Sequence, residues 1–491
     1  MSDIARYENF IGGKWTAPAS GEYEPNVNPA DPSDVIGRWP RSTKADARAA
    51  IEAAAKAFPA WSRTPPPARG RIVAKAHTIL AGRVDELALA LCREEGKTLT
   101  EARGEVLKAL NLLEFYGGEG FRVHGKTLPS EMPSTFTCTI RQPVGVAALV
   151  TPWNFPFAIP VWKSAPALVA GCTVVMKPAS LTPFCTTLLA RAYEEAGLPP
   201  GVLNVVTGPG STVGEELITA REVRAVSFTG STDIGLKTYA KAAARGARVT
   251  CEMGGKNPVV VLDDADLDIA VEGIVQGAFG STGQRCTATS RVIATPGVYG
   301  RLCEAIAARA KAIKVGDGRQ AGVQMGPAVD ASQHKTDLDY IDIAKKEGAK
   351  LLAGGGRVDG PGFFVQPTVF ADVTPSMRIF REEVFGPVLS LTRAANFEEA
   401  LAAANAVDFG LTASIYTRDA NSAMRFVEQS EVGMVHVNQP TVGGEAQLPF
   451  GGIKQTGVGE KEMGEEGLHF FTHLKTVFFD YTGGARKTNI Y

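Results

Sequence analysis

The chain has 491 residues, of which 44% are hydrophobic and 21% charged, and its 51 Lys and Arg nearly balance its 52 Asp and Glu. This length exceeds what one hydrophobic core usually supports, so we expect a folded protein of two or three domains. The formal net charge of -1 excludes a global field that would hold nucleic acid or an anionic membrane.

Targeting, membrane and metal signals are absent from the sequence pattern. The first fifteen residues mix charged and apolar side chains, unlike a secretory signal, so we expect a cytoplasmic protein. No clean run of about 20 apolar residues is available to cross a bilayer. The seven cysteines are dispersed, without a Cys-x-x-Cys pair or a His cluster at zinc-ligand spacing. We therefore expect neither disulfides nor a structural metal.

The first half of the chain predicts helices followed by a parallel sheet. Helical spacing over 44–113 predicts an all-helical beginning after a short strand pair, and the Gly, Pro and β-branched residues of 117–141 predict a protruding hairpin. Short apolar runs then alternate with helical patterns, which is typical of βαβ units around a buried parallel sheet. These runs are 146–150, 173–176, 203–206, 225–228 and 249–252. For the helix after 177, we expect Thr182 as the N-cap.

The second half predicts another α/β domain and an edge strand. Apolar runs and helical patterns alternate again from 259 to about 438. The final β-rich run, THLKTVFFDYTG at 472–483, has no evident local partner. We expect it to pair with another element of the chain or with another subunit.

Two residues are candidates for a nucleophile and its base. Cys286 lies among small polar residues beside Arg285, an environment that predicts a stabilised thiolate, although many cysteines are inert core residues. Glu252 ends an apolar strand just before a Gly pair. Partial desolvation would raise its pKa toward the range of a general base, and an ion-paired structural glutamate is the alternative.

An amide and two glycine-rich turns are candidates for binding oxygen atoms. Asn154 lies in PWNFP at 152–156, where a rigid side-chain N–H is suited to stabilise an oxyanion, although Asn beside Pro is also a common turn residue. Glycine-rich turns at 208–214 and 228–232 each follow a strand and precede a helix, whose N-terminus attracts phosphate. Neither turn matches G-x-G-x-x-G, so ordinary connections are the alternative.

In order and over nearly the whole chain, these segments resemble the aldehyde dehydrogenase superfamily. The matching motifs are PWNFP at 152–156, MKPAS at 176–180, FTGST at 228–232, EMGGKNP at 252–258, GQRCT at 283–287, EEVFGPV at 382–388 and LPFGG at 448–452. The resemblance implies an enzyme that oxidises an aldehyde to a carboxylic acid with NAD or NADP, through a thiohemiacetal and then a thioester.

The resemblance also implies roles for individual residues. Cys286 would be the nucleophile, Glu252 the base that activates water, and Asn154 the oxyanion donor. The implied cofactor contacts are Trp153, Lys177, Ser180, Gly210, Gly230, Ser231, Glu383 and Phe385, and the implied walls of the aldehyde tunnel are Phe155, Trp162 and Phe450. Many NAD-preferring relatives carry a carboxylate at the position of Ser180, so we expect dual cofactor use or a preference for NADP, with Lys177 near the phosphate.

The implied architecture is an α/β fold with three parts. A Rossmann-like cofactor domain would comprise residues 1–121 and 141–252, and an α/β catalytic domain residues 253–440. A β oligomerisation arm would comprise 122–140 and 470–491, while 441–469 would line the tunnel and return to the cofactor domain. A homodimer or homotetramer is expected.

The substrate is predicted only as a class. The chain is most similar to the branch that oxidises semialdehydes such as those of succinate and 2-oxoglutarate, whose distal carboxylate needs a partner. Arg285, Arg291 and Gln439 are candidates, and Arg291 is equally well explained as a structural ion-pair partner. A broad-range aliphatic or aromatic aldehyde dehydrogenase is the main alternative. A CoA-acylating relative typically lacks the base present here as Glu252, and a non-catalytic protein on this fold would not need the full set of site residues.

Overall fold

The computed structural model describes residues 4–485, so residues 1–3 of the predicted cofactor domain and 486–491 of the predicted arm lie outside the described residues. Within 4–485 the chain forms 15 α-helices and 22 β-strands. Helices α1 to α15 span Lys44–Trp61, Pro66–Ala81, Val84–Glu95, Leu99–Glu119, Ala158–Ala170, Phe184–Glu195, Glu215–Thr219, Thr232–Ala243, Leu267–Phe279, Pro296–Ala312, Ala331–Lys346, Arg378–Arg381, Phe397–Asn405, Ala420–Gln429 and Gly464–Phe470.

The strands alternate with these helices over most of the chain. Strands β1 to β22 span Asn9–Ile11, Lys14–Thr16, Tyr23–Asn28, Asp31–Pro40, Thr127–Leu128, Thr135–Pro143, Val146–Val150, Thr173–Lys177, Leu203–Val205, Val223–Thr229, Arg248–Glu252, Asn257–Val261, Thr289–Ala294, Lys350–Ala353, Thr368–Ala371, Val388–Arg393, Phe409–Gly410, Thr412–Tyr416, Met434–Val437, Ile453–Lys454, Gly457–Val458 and Thr472–Asp480. Two antiparallel pairs, β1 with β2 and β3 with β4, precede the first helix, where one pair was expected.

The first sheet contains eight strands in the order β2-β1-β9-β8-β7-β10-β11-β21. Its five central strands are parallel and coincide with the five predicted apolar runs. Separate apolar cores pack on the two faces of these strands, which explains why their sequences are apolar throughout rather than alternating. The predicted buried parallel sheet is confirmed.

The second sheet contains seven strands in the order β14-β15-β16-β13-β12-β18-β19. All neighbouring strands in it are parallel except β14, which pairs antiparallel with β15 at one edge. Helices α9 and α10 contribute to one apolar core and α13 and α14 to another. The carboxyl end of β11 in the first sheet and the amino end of β12 in the second are joined by residues 253–256, so the turn between the two sheets follows Glu252 directly.

A third, three-stranded sheet has the order β22-β6-β5. Strand β22 pairs antiparallel with β6 from Thr472 opposite Pro143 to Asp480 opposite Thr135, so the final strand finds its partner within the chain. Strand β5 forms the predicted hairpin with β6. Large apolar side chains on this sheet are exposed, with Phe478 and Phe479 at 73% and 62%.

The expected N-cap of α6 is wrong. The helix begins at Phe184, and the carboxylate of Glu94 accepts hydrogen bonds from the N–H groups of Phe184 and Cys185 at 2.5 and 3.0 Å. The hydroxyl of Thr182 instead donates to the carbonyl of Trp153 at 3.3 Å. A buried carboxylate can satisfy two N–H groups at a helix N-terminus, so it replaces the local hydroxyl. No helix within 4–485 is both long and apolar enough to cross a membrane.

Candidate active site

The candidate nucleophile lies in a constrained loop between α9 and β13. The preceding 3-10 turn, Gly280–Gly283, holds Ser281 and Thr282 in the left-handed region at φ 48° and 59°. The side-chain amide of Asn257, the first residue of β12, donates at 2.8 Å to the carbonyl of Cys286. The loop is therefore fixed from both sides, and the Cys286 side chain remains partly exposed.

The expected thiolate environment at Cys286 is wrong. Burial, together with the Glu252 and Glu383 carboxylates, raises the pKa of this thiol to about 12, while Lys108 opposes the shift. The neighbouring Arg285 is engaged elsewhere, since its Nε donates to the Ser281 hydroxyl at 3.0 Å. A thiol with a raised pKa stays protonated at neutral pH and needs a base to become a nucleophile.

Glu252 lies at the carboxyl end of β11 against a glycine segment. The N–H of Gly452 donates to Glu252 Oε2 at 3.3 Å, and a Cβ on Gly451 would meet Oε1 at 2.5 Å, so a side chain at Gly451 would displace the carboxylate. Burial raises the pKa of Glu252 well above its ordinary range, and the negative charge of Glu462 raises it further. Lys163 opposes the shift. A carboxylate with a raised pKa accepts protons more readily than an ordinary glutamate, as a general base requires.

A buried ion pair lies within electrostatic range of Glu252 and affects its pKa. Glu462 pairs with Lys163, and its oxygens also accept from the Ser227 hydroxyl at 2.7 Å and from the Trp162 indole N–H at 2.8 Å. We call this group the Lys163–Glu462 pair. It keeps a negative charge next to Glu252 in a water-poor environment, where electrostatic effects are strong.

Asn154 lies beside the nucleophile loop. Its Nδ2 donates to the carbonyl of Gln284, two residues before Cys286, at 3.0 Å. An amide nitrogen has two N–H groups, so this contact leaves a second donor. Asn154 contacts the loop of Cys286, and the charge of Glu252 acts on the Cys286 thiol, so the three side chains lie in one region. Their catalytic roles stay a prediction.

A second buried ion pair holds the backbone of the Asn154 loop. Lys97 Nζ contacts Glu105 Oε2 at 2.6 Å, donates at 2.8 Å to the carbonyl of Asn154, and lies 4.1 Å from the Phe155 ring centroid. The other Glu105 oxygen accepts from the N–H of Phe157 at 2.9 Å, in the turn that leads into α5. We call this group the Lys97–Glu105 pair. Sequence reasoning missed it because Lys97 and Glu105 are distant from Asn154 in the chain and meet its loop only in the folded structure.

A cavity of about 510 Å³ lies between α4 and the loop before Phe450. It is lined by Gly104, Leu107, Lys108, Asn111, Glu114, Phe115, Gly444, Glu445, Ala446 and Gln447. The predicted tunnel residues are not among them. The buried rings of Trp162 and Phe450 pack 5.3 Å apart behind Lys108, and Phe155 lies against Lys97. Their role as tunnel walls stays a prediction.

A second pocket, of about 330 Å³, lies at the carboxyl ends of the first-sheet strands. Lys177 and Gly210 line it, and burial lowers the pKa of Lys177 to about 8. Ser231 is the N-cap residue of α8 and makes no side-chain capping bond, so the first N–H groups of α8 are available to an anion. Exposed Ser180 donates to the carbonyl of Gly208 at 3.2 Å.

A third group of predicted cofactor residues lies nearer the nucleophile. Glu383 Oε1 accepts from the N–H of Gly255 at 2.7 Å, while Oε2 makes no hydrogen bond within 4–485. Burial raises the pKa of Glu383 to about 7. Trp153 and Phe385 pack edge to face at 5.4 Å. A free carboxylate oxygen, an uncapped helix N-terminus and a buried ammonium suit the hydroxyls and phosphates of a dinucleotide.

Two of the residues predicted to bind a distal carboxylate do not line the cavity. Arg291 is fully buried and donates to the carbonyls of Lys256, Ala403 and Ala404, so both a role in the cavity and a structural ion pair are wrong. Gln439 is exposed in the segment after β19 and does not line the cavity. Within 4–485, no cluster of three or more His, Cys, Asp or Glu side chains is arranged to hold a metal.

Residues 15–477 match the aldehyde dehydrogenase family, so the chain belongs to this family and is an enzyme. It is 47% identical over 486 residues to the alpha-ketoglutarate semialdehyde dehydrogenase of Haloferax volcanii, covering 98% of this chain and all of that protein. It is also 47% identical over 471 residues to the 2,5-dioxopentanoate dehydrogenase of Saccharolobus solfataricus, covering 95% and 98%. A betaine aldehyde dehydrogenase from Staphylococcus aureus, solved with NAD+, matches with a TM-score of 0.95 at 34% identity, covering 98% and 95%. The predicted fold class and the use of a nicotinamide dinucleotide are confirmed.

Proposed function

We propose that the enzyme oxidises 2-oxoglutarate semialdehyde, or a similarly short acidic semialdehyde such as that of succinate, to the dicarboxylate. The observation that carries the proposal is the placement of Asn154 on the loop of Cys286 and of Glu252 within electrostatic range of the thiol. A cavity large enough for a small molecule is lined by Lys108, whose charge also acts on this thiol. The semialdehyde activities named for the two relatives at 47% identity support the substrate class.

The residues of this site divide the chemistry between them. Glu252 accepts the thiol proton, and the Cys286 sulfur then bonds to the aldehyde carbon. The second N–H of Asn154 and a backbone N–H of the loop stabilise the resulting oxyanion. Glu252 passes the thiol proton to solvent before the second half of the reaction. After oxidation it takes a proton from water while the water oxygen bonds to the thioester carbon. The bond to sulfur then breaks, and the departing thiolate takes that proton from Glu252. One aldehyde, one water and one oxidised nicotinamide give one acid, one reduced nicotinamide and one proton.

Two groups of residues would hold the cofactor. Gly230, Ser231 and the N-terminus of α8 would bind its phosphates, and Lys177 and Glu383 its ribose hydroxyls. Trp153, Gly210 and Phe385 would contact its remaining surfaces. A nicotinamide bound there would supply the hydride acceptor for the oxidation of the carbon attached to Cys286.

The proposed cofactor preference depends on Ser180. This position carries no charge, so a 2′-phosphate meets no like-charge repulsion there, and the Lys177 ammonium is three residues away in the chain. We propose use of both NAD and NADP or a preference for NADP. Ser180→Glu should lower kcat/KM for NADP by about tenfold or more relative to NAD. An unchanged ratio would contradict this role of Ser180.

We further propose that the three sheets mark a cofactor domain, a catalytic domain and an oligomerisation arm, with the boundaries expected from the sequence. The exposed Phe478 and Phe479 of the arm favour a homodimer or homotetramer, because apolar surface of this kind is normally covered. A cytoplasmic location is part of the same proposal.

Reduced cofactor formed from 2-oxoglutarate semialdehyde, succinate semialdehyde and benzaldehyde, with NAD and NADP separately, tests the function. We expect the highest kcat/KM with an acidic semialdehyde and no turnover in Cys286→Ala. A preference for benzaldehyde would favour a broad-range enzyme, and turnover by Cys286→Ala would refute the nucleophile.

A further inference from the structure

Lys108 is an ammonium without a partner beside the reacting thiol. It lies on α4, between Glu105 and Leu112, and it makes no hydrogen bond and no ion pair with residues 4–485. Three other lysines around this site have partners. Lys97 and Lys163 each pair with a carboxylate, and Lys461, which acts on Glu252, donates to the carbonyl of Gly433 at 2.6 Å. An unpaired, partly buried ammonium is costly unless a ligand supplies the missing anion.

The position of Lys108 is set by two aromatic rings. Its Nζ lies 5.4 Å from the ring centroid of Trp162 and 5.9 Å from that of Phe450, so the rings stabilise the charge on one side. On the cavity side, a Cβ on Gly444 would lie 3.4 Å from Nζ, and a Cβ on Gly104 would meet nothing within 4 Å. Gly444 therefore leaves space next to the ammonium that a side chain would fill.

The charge of Lys108 acts on the sulfur of Cys286, the atom that bonds to the substrate in the proposed reaction. Its charge interacts with the Cys286 sulfur, which places the ammonium within electrostatic range of the nucleophile. Among the residues that line the cavity, Lys108 is the one cation. A substrate that is bonded to Cys286 and extends into this cavity meets Lys108 there.

The other charged residues near the cavity are either exposed or already engaged with other groups. Glu114 and Glu445 are exposed at its margin, and Glu445 accepts from the Gln447 amide at 2.5 Å. Glu105 is committed to Lys97 and to backbone N–H groups. Arg285, the remaining predicted candidate, contacts Ser281 and lies 3.6 Å from Glu101.

We propose that Lys108 binds the distal carboxylate of the aldehyde substrate and so sets the preference for acidic semialdehydes. The inference rests on the proposed function, because it assigns a carboxylate partner for the substrate of that same site. A charge-assisted contact in a partly desolvated cavity favours the acidic substrate by about 10- to 100-fold over an uncharged aldehyde of equal length. The contact acts mainly on KM, because the distal end of the substrate does not change during the reaction.

Steady-state kinetics with 2-oxoglutarate semialdehyde and pentanal, two aldehydes of five carbons, test this role. We expect Lys108→Met to lower the ratio of their kcat/KM values by about 10- to 100-fold, mainly through the KM of the acid. Lys108→Arg, which keeps the charge, should retain most of the ratio. Lys75→Met removes an exposed charge on α2 as the matched control and should leave the ratio unchanged.

A binding measurement separates this inference from the proposed function. Calorimetric titration of 2-oxoglutarate, the product expected from the acidic aldehyde, into Cys286→Ala and into Cys286→Ala/Lys108→Met needs no turnover. We expect binding about tenfold or more weaker in the double variant. Equal binding, or an unchanged kinetic ratio in Lys108→Met, would overturn the role of Lys108. Wild-type failure to oxidise either aldehyde would instead refute the proposed function, and the titration would still decide the question of Lys108.

Discussion

Two buried lysine–glutamate pairs lie next to the candidate site, and their carboxylates have different hydrogen-bond partners. In the Lys97–Glu105 pair, the lysine and the glutamate each bind backbone groups of the Asn154 loop. In the Lys163–Glu462 pair, the partners are side chains, and the negative charge acts on Glu252. The first pair therefore fixes the geometry of the Asn154 loop, whereas the second pair changes the proton affinity of Glu252.

The difference shows that burial alone does not define the role of an ion pair. Both pairs have side chains at 6% exposure or less, so both pay a large desolvation cost. A pair that binds the backbone should affect kcat at every pH. A pair that acts through charge should instead move the pH at which the base becomes active.

The largest expected effect is that of Lys97→Met. It removes the donor to the Asn154 carbonyl and leaves Glu105 buried without its cation, so kcat should fall by about 10²- to 10³-fold. The free energy of unfolding should fall by about 3–5 kcal/mol. Denaturant titration and kinetics at a temperature where the variant is folded measure both. Lys56→Met, at an exposed position on α1, is the control. Full kcat in folded Lys97→Met would contradict its role in positioning Asn154.

Glu462→Gln should shift a pH profile rather than abolish activity. The pKa of Glu252 is raised partly by the Glu462 charge, so neutralising that charge and leaving Lys163 in place lowers it. The deprotonated base is then present at lower pH, and the acidic limb of the kcat profile should move down by about one pH unit. Glu304→Gln, on the exposed face of α10, is the matched control. A profile that does not move would remove Glu462 from the tuning of Glu252.

The smallest expected effect is that of Ser227→Ala. The Ser227 hydroxyl donates to Glu462 and accepts from Lys163 at 2.7 Å, so its loss weakens the pair without removing a charge. The free energy of unfolding should fall by about 1 kcal/mol, and the pH profile should move less than in Glu462→Gln. A larger shift than that of Glu462→Gln would mean that the hydroxyl, and not the carboxylate, sets the environment of Glu252.

Much of the fold could be predicted because it depends on local patterns. The strand that ends at Glu252 and the four others of the parallel core are continuous apolar runs, which only a sheet covered on both faces buries. The convergence of Cys286, Glu252 and Asn154 could also be predicted, because each lies in a motif of an ordered set.

The remainder depends on tertiary distances that no local pattern contains. Glu105 and Lys108 are three residues apart on α4, yet one is neutralised by Lys97 and the other has no ion-pair partner among residues 4–485. The thiolate expected from Arg285 was wrong because burial of the Cys286 thiol outweighs a cation that is bound to other groups. Arg291 resembles a ligand-binding arginine in the sequence, but its guanidinium donates hydrogen bonds to backbone carbonyls.

The central claim is that Cys286 carries the acyl group and Glu252 releases it, and Glu252→Gln tests this most directly. With aldehyde and NAD(P)+ at alkaline pH, where hydroxide removes the thiol proton in place of Glu252, this variant should form reduced cofactor in a single burst. Mass spectrometry of the quenched protein should then find the acyl group on the peptide that contains Cys286. Sustained turnover without an adduct, or an adduct on another residue, would contradict the account.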